Sequence, residues 1–349
     1  MVARHRRRPA TTVALAAALS AGAVMLLSAC GPDEVAATSP AQSASAPAAQ
    51  PAGSSHPGTA APTAKGKSPG ASSSTPADPS GTVHSPLTVS NGTPLVMMNG
   101  TSVDFHTPVR DLSWSPDGSK AAFVNGDGSL VVANPDGSGQ VTVARNPGGQ
   151  TWSHPTWQVN AAGDANGVAA KNNVIFTVDQ GGTTHLASVP ATAAGAAPAK
   201  LDLSPGIDDP AVPQSANAWA NTAGPHGITT AYENTADGKI YLRDDYTREQ
   251  TRALTAGSEP ALAPDASTVV FVRSSGGHDH LFEMPLGQQN ATAKDLTPNA
   301  TTDYTEPALS PDGKLIAART PTGIVTLPTD GSAAPTMTVN AIGLPAFRA

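Results

Sequence analysis

Cysteine, aromatic residues and charged residues are all scarce in this sequence of 349 residues. A single cysteine excludes a disulfide scaffold, and charged residues, at 13%, are about half as frequent as in an average soluble domain. No Asp or Glu precedes Asp33 and no Phe, Trp or Tyr precedes Phe105, so the first quarter cannot supply a hydrophobic core. The composition also excludes a collagen repeat, a coiled coil and a multi-span membrane protein. The composition therefore favours an exported, mostly β domain that follows an N-terminal segment without a fold of its own.

The usual signatures of enzymes are missing as well. The sequence has no Gly-x-Ser-x-Gly nucleophile elbow, no dinucleotide or P-loop fingerprint, no His-Glu-x-x-His zinc motif and no sialidase box. These absences favour a protein that is not an enzyme.

Residues 1–29 have the layout of a secretory signal. Four arginines between positions 4 and 8 precede an apolar stretch from Thr11 to Leu27, which is too short and too rich in Ala, Gly and Ser to predict a spanning helix. The stretch ends in Leu27-Ser28-Ala29-Cys30, which resembles a bacterial lipobox. That resemblance implies cleavage before Cys30 and attachment of acyl chains, palmitate among them, to the cysteine. We therefore expect a lipoprotein that is held on the cell membrane by these chains and faces outside the cytoplasm; both the Sec and the twin-arginine route of export stay open.

The balance of charge is acidic. The chain has 27 acidic and 20 basic residues and a formal net charge of −7. Because the leader contains four of the arginines and no acid, its removal makes the chain more acidic still. No basic patch is left to neutralise phosphates, so we expect no nucleic-acid partner.

The segment from residue 30 to residue 85 consists mainly of Ala, Ser, Pro, Gly and Thr, with few charges. Such a segment has almost nothing to bury, so we expect a disordered tether. Its length suffices to hold a folded domain clear of a membrane.

Four stretches of the remaining sequence can be aligned with one another. They begin at Asp111 (DLSWSPDGSKAAFV), Glu259 (EPALAPDASTVVFV), Glu306 (EPALSPDGKLIAAR) and, in a degenerate form, His154 (HPTWQVN). In each, a short apolar strand runs into a turn of the Ser/Ala-Pro-Asp-Gly/Ala type, in which Pro presets φ and Asp bonds the backbone two residues on. A second strand follows. The spacing of the turn signals predicts units of four short antiparallel strands.

The residue that ends the first strand of each unit sets the register: Trp114, Trp157, Trp219, Leu262, Leu309 and Phe347. The longest gap, between Trp157 and Trp219, is explained by loop insertions around residues 190–200 and 208–217. The last unit has room for only one strand, and residues 86–105 can supply the others. The sequence therefore predicts an all-β fold, a six-bladed β-propeller of four-stranded blades over residues 86–349, closed by strands from both ends in one blade.

These repeats resemble the TolB-type β-propeller unit, whose hallmark is Pro-x-Trp-Ser-Pro-Asp-Gly followed by an Ile-Ala-Phe-like strand and later by Asp-Gly-Ser-Gly. The resemblance is strongest at residues 111–144 and 306–331. TolB itself has a small α/β domain before its propeller, and here the tether takes that place. The resemblance thus implies the propeller and not a role in the Tol–Pal system.

The register also brings together a candidate binding site. Three residues before each strand end lie Asp111, His154, Ala216, Glu259, Glu306 and Leu344. In equivalent blades these positions form a ring at one mouth of the central channel, with Trp152, Asp303 and Tyr304 on the adjoining loops. Crowded carboxylates raise one another's pKa unless a cation relieves them. We expect this mouth to bind a cation or the basic group of a peptide or small ligand; the alternative is that each acid only accepts backbone N–H groups. No cofactor is required, and a divalent cation is the candidate.

A second metal candidate is the segment Gly276-GHDH, in which His278 and His280 flank a carboxylate. Two imidazoles alone would need further ligands from elsewhere in the fold. We expect a solvated hairpin tip here rather than a metal site.

Together these features predict a lipid-anchored surface protein that binds an envelope protein, a peptide or another ligand without catalysis. Rigid blades suit this role because they fix the loops between them. The alternative is a propeller enzyme, a lactonase or glycan hydrolase, that uses acids or a cation at the channel mouth.

Overall fold

The computed structural model describes residues 86–161, 169–207, 209–224, 227–245, 250–288 and 290–349. The predicted signal peptide, the lipidation site at Cys30 and the predicted tether lie outside the described residues. Within the described ranges, no helix is long and apolar enough to cross a membrane.

The described residues form 24 strands. The first twelve are β1 (Leu87–Ser90), β2 (Leu95–Met98), β3 (Thr101–Asp104), β4 (Arg110–Trp114), β5 (Ala121–Val124), β6 (Leu130–Ala133), β7 (Val141–Ala144), β8 (Thr151–Asn160), β9 (Lys171–Gln180), β10 (Thr183–Pro190), β11 (Ala199–Lys200) and β12 (Asn217–Ala223). The others are β13 (Thr229–Asn234), β14 (Lys239–Asp244), β15 (Gln250–Ala256), β16 (Ser258–Leu262), β17 (Thr268–Ser275), β18 (His278–Pro285), β19 (Lys294–Asp295), β20 (Thr305–Leu309), β21 (Leu315–Thr320), β22 (Gly323–Pro328), β23 (Thr336–Val339) and β24 (Leu344–Phe347).

These strands form six antiparallel sheets of four strands, which are the blades of a β-propeller. Blade 1 is β4–β7, blade 2 is β8–β11, blade 3 is β12–β15, blade 4 is β16–β19 and blade 5 is β20–β23. Blade 6 combines β24 with β1, β2 and β3. The predicted six-bladed fold is confirmed.

The ring closes where β24 pairs with β1. Four consecutive residues of each strand are partners, from Leu87 with Phe347 to Ser90 with Leu344. The hydroxyl of Thr88 donates to the carbonyl of Ala346 at 2.9 Å and accepts the indole N–H of Trp114 in blade 1 at the same distance. The predicted closure by both ends of the domain is therefore present.

The two strands in the middle of blade 1 are buried on both faces. All four residues of β5 (AAFV) and of β6 (LVVA) are buried, because each blade packs against the next. One such interface holds Val124 and Leu130 of blade 1 against Trp152 and Phe176 of blade 2. Runs of β-branched and aromatic residues without polar alternation are what this two-sided burial requires.

The turn between the first two strands of blade 1 is held by its own side chains. The hydroxyl of Ser115 donates to Asp117 at 2.6 Å and accepts the N–H of Lys120 at 2.9 Å. Asp117 also accepts the N–H of Ser119, two residues on, as the sequence predicts. Ser310 and Asp312 repeat this arrangement in blade 5.

The innermost strand of each of the first five blades contains a β-bulge, in which two residues lie opposite one residue of the second strand. The pairing shifts between Arg110 and Ser113, Ser153 and Thr156, Ala218 and Asn221, Ser258 and Ala261, and Thr305 and Ala308. The opposing residues are Phe123, Phe176, Tyr232, Phe271 and Ala318, all fully buried. The bulge in β12 corrects the predicted register of blade 3: Trp219, not Ala216, is the bulge residue, and Thr222 stands where Trp219 was expected.

Candidate functional site

The first residue of each bulge has left-handed backbone geometry although none is glycine. Their φ angles are 56° at Asp111, 51° at His154, 50° at Trp219, 51° at Glu259 and 54° at Glu306. We call these five residues the bulge ring; they lie where the innermost strands begin. Such a conformation costs an L-residue about 1–2 kcal/mol, and strained backbone of this kind clusters at functional sites and ligand clamps.

The strained backbone turns N–H groups of the bulge ring towards the preceding blade. The N–H of His154 donates to Asp111 Oδ2 at 3.2 Å, and the N–H of Glu306 donates to Glu259 Oε2 at 2.5 Å. Both acceptors are carboxylates of the bulge ring itself. The carboxylates of Asp111 and Glu259 thus accept backbone N–H groups. This is the arrangement that the sequence predicts as the alternative to a ligand site.

Where the preceding bulge residue is not an acid, the second strand of that blade supplies the acceptor. The N–H of Trp219 donates to Thr177 Oγ1 at 2.9 Å, and the N–H of Glu259 donates to Glu233 Oε2 at 2.8 Å. Thr177 pairs with Ser153 and Glu233 pairs with Ala218, so both lie beside the residue that precedes the bulge. The sequence register missed both acceptors because they lie on second strands.

The junction between blades 5 and 6 differs from the others. Strand β24 pairs with β1 without a bulge, and Glu306 Oε2 is buried with no hydrogen-bond partner among the described residues. The other oxygen, Oε1, accepts from Arg319 at 2.6 Å, an ion pair within blade 5. At the next junction, Ser90 Oγ of blade 6 accepts the N–H of Leu112 at 3.1 Å. Among the described residues, a backbone N–H of the innermost strand therefore donates to the preceding blade at every junction except the one between blades 5 and 6.

Burial dominates the electrostatics of the bulge ring. It raises the pKa of the Glu259 carboxyl to about 7, with the N–H of Glu306 opposing the shift and the charge of Glu233 adding to it. Burial also raises the pKa of Glu233 and of Glu306, the latter against the effect of Arg319. The pKa of the His154 imidazole is lowered by burial, although Asp111 acts in the other direction. His154 is thus neutral near pH 7.

His154 and Trp219 form the aromatic part of the bulge ring. Their ring centroids are 3.6 Å apart with an angle of 33° between the planes. A neutral imidazole presents one donor and one acceptor nitrogen, so this pair combines a flat apolar surface with a polar group.

The other predicted mouth residues lie away from this ring. Trp152 is 1% exposed and packs on Phe176 at 4.9 Å in the interface between blades 1 and 2. Asp303 accepts from His278 Nδ1 and from the N–H of Asp279, both at 3.1 Å, beside the hairpin of blade 4. Tyr304 packs against the hydrophobic cluster between blades 4 and 5.

The two histidines of the Gly276-GHDH segment do not share a site. His278 pairs with Asp303, whereas His280 lies in β18, is 5% exposed and bonds to Asp295 at 2.9 Å. Residues 276–277 thus form the expected hairpin tip, whereas His280 is a buried residue of the strand that follows it. Across the described part of the chain, no group of three or more His, Cys, Asp or Glu residues is arranged to hold a metal ion.

A cavity of about 540 Å³ occupies the central channel next to the bulge ring. All six innermost strands line it, from His154 and Trp219 at one end to the turns at Pro116, Pro264 and Pro311 at the other. We call it the channel cavity. Its size falls within the range of about 300–1,000 Å³ that is typical of ligand sites.

The described lining of the channel cavity contains no Asp, Glu, Lys or Arg side chain. Tryptophan, proline, leucine and alanine dominate it, and its few polar side chains partly serve the fold. Asn221 Oδ1 accepts the N–H of Leu262 at 2.8 Å, Thr156 Oγ1 accepts the N–H of Thr222 at 3.0 Å, and the indole of Trp157 donates to the carbonyl of Ser113. The cavity therefore favours an uncharged occupant, because an unpaired charge would lose its hydration there.

Comparison with known proteins gives the same architecture. Residues 85–212 match the family model described as the lipoprotein LpqB beta-propeller domain. The structure of TolB from Acinetobacter baumannii resembles this chain with a TM-score of 0.52 and 16% identity. The chain thus shares the β-propeller fold with TolB. A chain of a nidogen/laminin complex is similar at a TM-score of 0.51 and 11% identity.

The extent of these matches limits what they show. The TolB match covers 75% of this chain and 65% of the TolB chain, whereas the match to the nidogen/laminin structure covers 75% and 97%. At such low identities, the TolB-type likeness is one of fold alone. A comparison with curated proteins finds no match.

Proposed function

We propose that this protein is a non-enzymatic binding module whose channel cavity holds an uncharged, largely apolar segment of an envelope protein or peptide. The single observation that supports this most is the lining of the channel cavity, which draws on all six blades without a charged side chain among its described residues. Tryptophan and proline surfaces of this kind bury an apolar segment at low cost in side-chain entropy.

His154 gives the occupant a fixed polar partner. Its imidazole lies on the cavity wall, stacks on Trp219, and makes no hydrogen bond to any described residue. Held neutral by burial, it can both donate and accept, which suits an amide or hydroxyl group rather than a charged one.

A binding role agrees with this arrangement better than hydrolysis does. A glycan hydrolase needs two carboxyl groups facing its substrate, but Asp111, Glu259 and Glu306 stand outside the described lining of the channel cavity. Asp111 and Glu259 accept N–H groups of the following blade, and Glu306 is paired with Arg319. Asp111 and Glu259 thus stabilise junctions between blades, and Glu306 is paired within its own blade.

We also propose that the chain is anchored in the membrane through acyl chains on Cys30 and presents the propeller outside the cytoplasm. The lipobox-like sequence supports the anchor, and the matched family is described as a lipoprotein. Incorporation of labelled palmitate into the wild-type chain, and its loss in Cys30→Ser, tests this part. Equal labelling of the two would overturn it.

Site-specific photo-crosslinking in cells tests the binding role. Ala308 lines the channel cavity, whereas Leu315, on the next strand of the same blade, is 40% exposed. A photoreactive residue at position 308 should crosslink to a discrete partner that position 315 does not capture. Identical crosslinks at both positions, or none at position 308, would contradict the proposed site.

A further inference from the structure

A second cavity lies at the one described junction where the bonds between blades are interrupted. It has a volume of about 250 Å³, and the residues that line it include Arg110, Asp111, Glu306, Arg319, Ile342 and Leu344. We call it the junction pocket. Blades 5, 6 and 1 all contribute to it, and its volume is below the range of about 300–1,000 Å³ of drug-sized ligands. Its size suits a small metabolite.

The junction pocket contains charges of both signs, unlike the channel cavity. Two acidic residues, Glu306 and Asp111, and two basic residues, Arg110 and Arg319, line it. Arg319 pairs with Glu306. The side chain of Arg110 makes no hydrogen bond or ion pair with any described residue, so its planar set of N–H donors is available to a carboxylate.

Glu306 has one oxygen that the fold leaves unsatisfied. At the preceding junction, Glu259 Oε2 accepts a backbone N–H from the next blade. Because β24 has no bulge, blade 6 supplies no such donor, and Glu306 Oε2 stays buried without a partner among the described residues. A buried acceptor in this state destabilises the fold, and more so when it is charged. An ammonium group that reaches this oxygen from the pocket would satisfy it.

The rest of the wall is apolar. Ile342, which is 50% exposed, and Leu344 provide aliphatic surface beside the charged groups. Gly92, with φ of 79°, leaves space next to the stem of Arg110, whose Cγ would lie 3.5 Å from a Cβ at position 92. The pocket thus offers an acceptor for an ammonium group, donors for a carboxylate and a surface for a short aliphatic chain.

We infer that the junction pocket binds a free α-amino acid with an aliphatic side chain, with its ammonium group on Glu306, its carboxylate on Arg110 and its side chain on Ile342 and Leu344. Both charges of the ligand are then paired with fixed groups of opposite sign, which a simple amine or a simple acid cannot achieve. Such an occupant also provides the bond to Glu306 that is absent between blades 5 and 6.

Calorimetric titration of the full chain with three related compounds tests the inference. L-Leucine has both charges, 3-methylbutylamine keeps only the ammonium group, and 4-methylpentanoate keeps only the carboxylate. L-Leucine should bind saturably, and each compound with one charge should bind about 10- to 100-fold more weakly, because one charge-assisted pair is lost. No saturable heat at about 1 mM L-leucine, or equal binding of either single-charge compound, would overturn the inference.

Two substitutions assign the roles. Glu306→Gln and Arg110→Gln should each weaken L-leucine binding by about 10-fold or more, whereas Glu283→Gln and Arg252→Gln, outside the pocket, should leave it unchanged. Unchanged binding in Arg110→Gln contradicts the assignment even if Glu306→Gln fails to fold, because the guanidinium group of Arg110 makes no described hydrogen bond or ion pair on which the fold depends.

Discussion

The backbone N–H of Glu306 donates to the carboxylate of Glu259 at 2.5 Å, so one residue of the bulge ring holds the next. A left-handed backbone costs a residue about 1–2 kcal/mol, whereas a hydrogen bond to a charged group contributes about 1.5–3 kcal/mol. The bond can therefore offset the strain at the junctions where the acceptor is a carboxylate. Backbone strain and contact between blades are two consequences of the same bulge.

The first prediction concerns pH. Because burial raises the pKa of Glu259 from 4.5 to about 7, the folded state holds this proton more tightly than the unfolded chain does. Its contribution is complete below pH 4.5 and is lost as the pH rises through about 7. The free energy of unfolding, measured with denaturant, should therefore fall between pH 5 and pH 8, by up to about 3 kcal/mol from this group.

Substitution separates Glu259 from other acids. In Glu259→Gln the fall between pH 5 and pH 8 should shrink, and the variant should be more stable than wild type at pH 8. Asp127→Asn, at an exposed hairpin turn, is the matched control and should keep the wild-type profile. A profile in Glu259→Gln as steep as that of wild type would show that this carboxyl is not the titrating group.

The second prediction concerns closure of the ring. Thr88→Val keeps the shape of the side chain but removes the acceptor of the buried Trp114 indole N–H. It should lower the free energy of unfolding by about 1–3 kcal/mol. Thr326→Val, which breaks only an exposed bond to Thr338, should have little effect. Equal stability of the two variants would argue against a structural role for the Thr88 contact.

The third prediction concerns a buried ion cluster that joins blades 2 and 3. Asp245, 2% exposed, bonds to Arg243 and to Gln158 and lies 3.4 Å from Lys171 Nζ. Removing its charge in Asp245→Asn should cost about 3–5 kcal/mol of stability, because buried cations lose their counter-charge.

A surface pair provides the control for that prediction. Lys239 lies 3.6 Å from Asp237 and is half exposed, so Lys239→Gln should cost at most about 1 kcal/mol. Denaturant unfolding of both variants checks the difference. A loss of less than 1 kcal/mol in Asp245→Asn would mean that the cluster does not stabilise the junction.

Repeated turns made the propeller predictable from sequence. The Ser-Pro-Asp-Gly turns at residues 115–118 and 310–313 mark where an innermost strand ends, and the turn fixes the strands on either side. Blade 3 has no such turn, and the sequence register therefore places Trp219 at the end of a strand. The structure places it at the bulge, three residues earlier in the repeat.

The candidate site was less accessible to sequence reasoning, for a physical reason. A bulge depends on pairing with the second strand, which a repeat register does not contain, so the acceptors Thr177 and Glu233 were missed. Trp152 was expected near the mouth because it is close in sequence to His154. It packs instead in the interface between blades 1 and 2, because the bulge that begins at His154 breaks the regular alternation of side chains along β8.

The binding role of the channel cavity is tested most directly by adding one charge to it. Asn221→Asp keeps the oxygen that accepts the N–H of Leu262 and places a carboxylate in the uncharged lining. Asn125→Asp makes the same change where Oδ1 accepts the N–H groups of Asp127 and Ser129 in a hairpin turn. The partner crosslinked through position 308 should be retained in Asn125→Asp and lost in Asn221→Asp; an undiminished crosslink in Asn221→Asp would contradict the account.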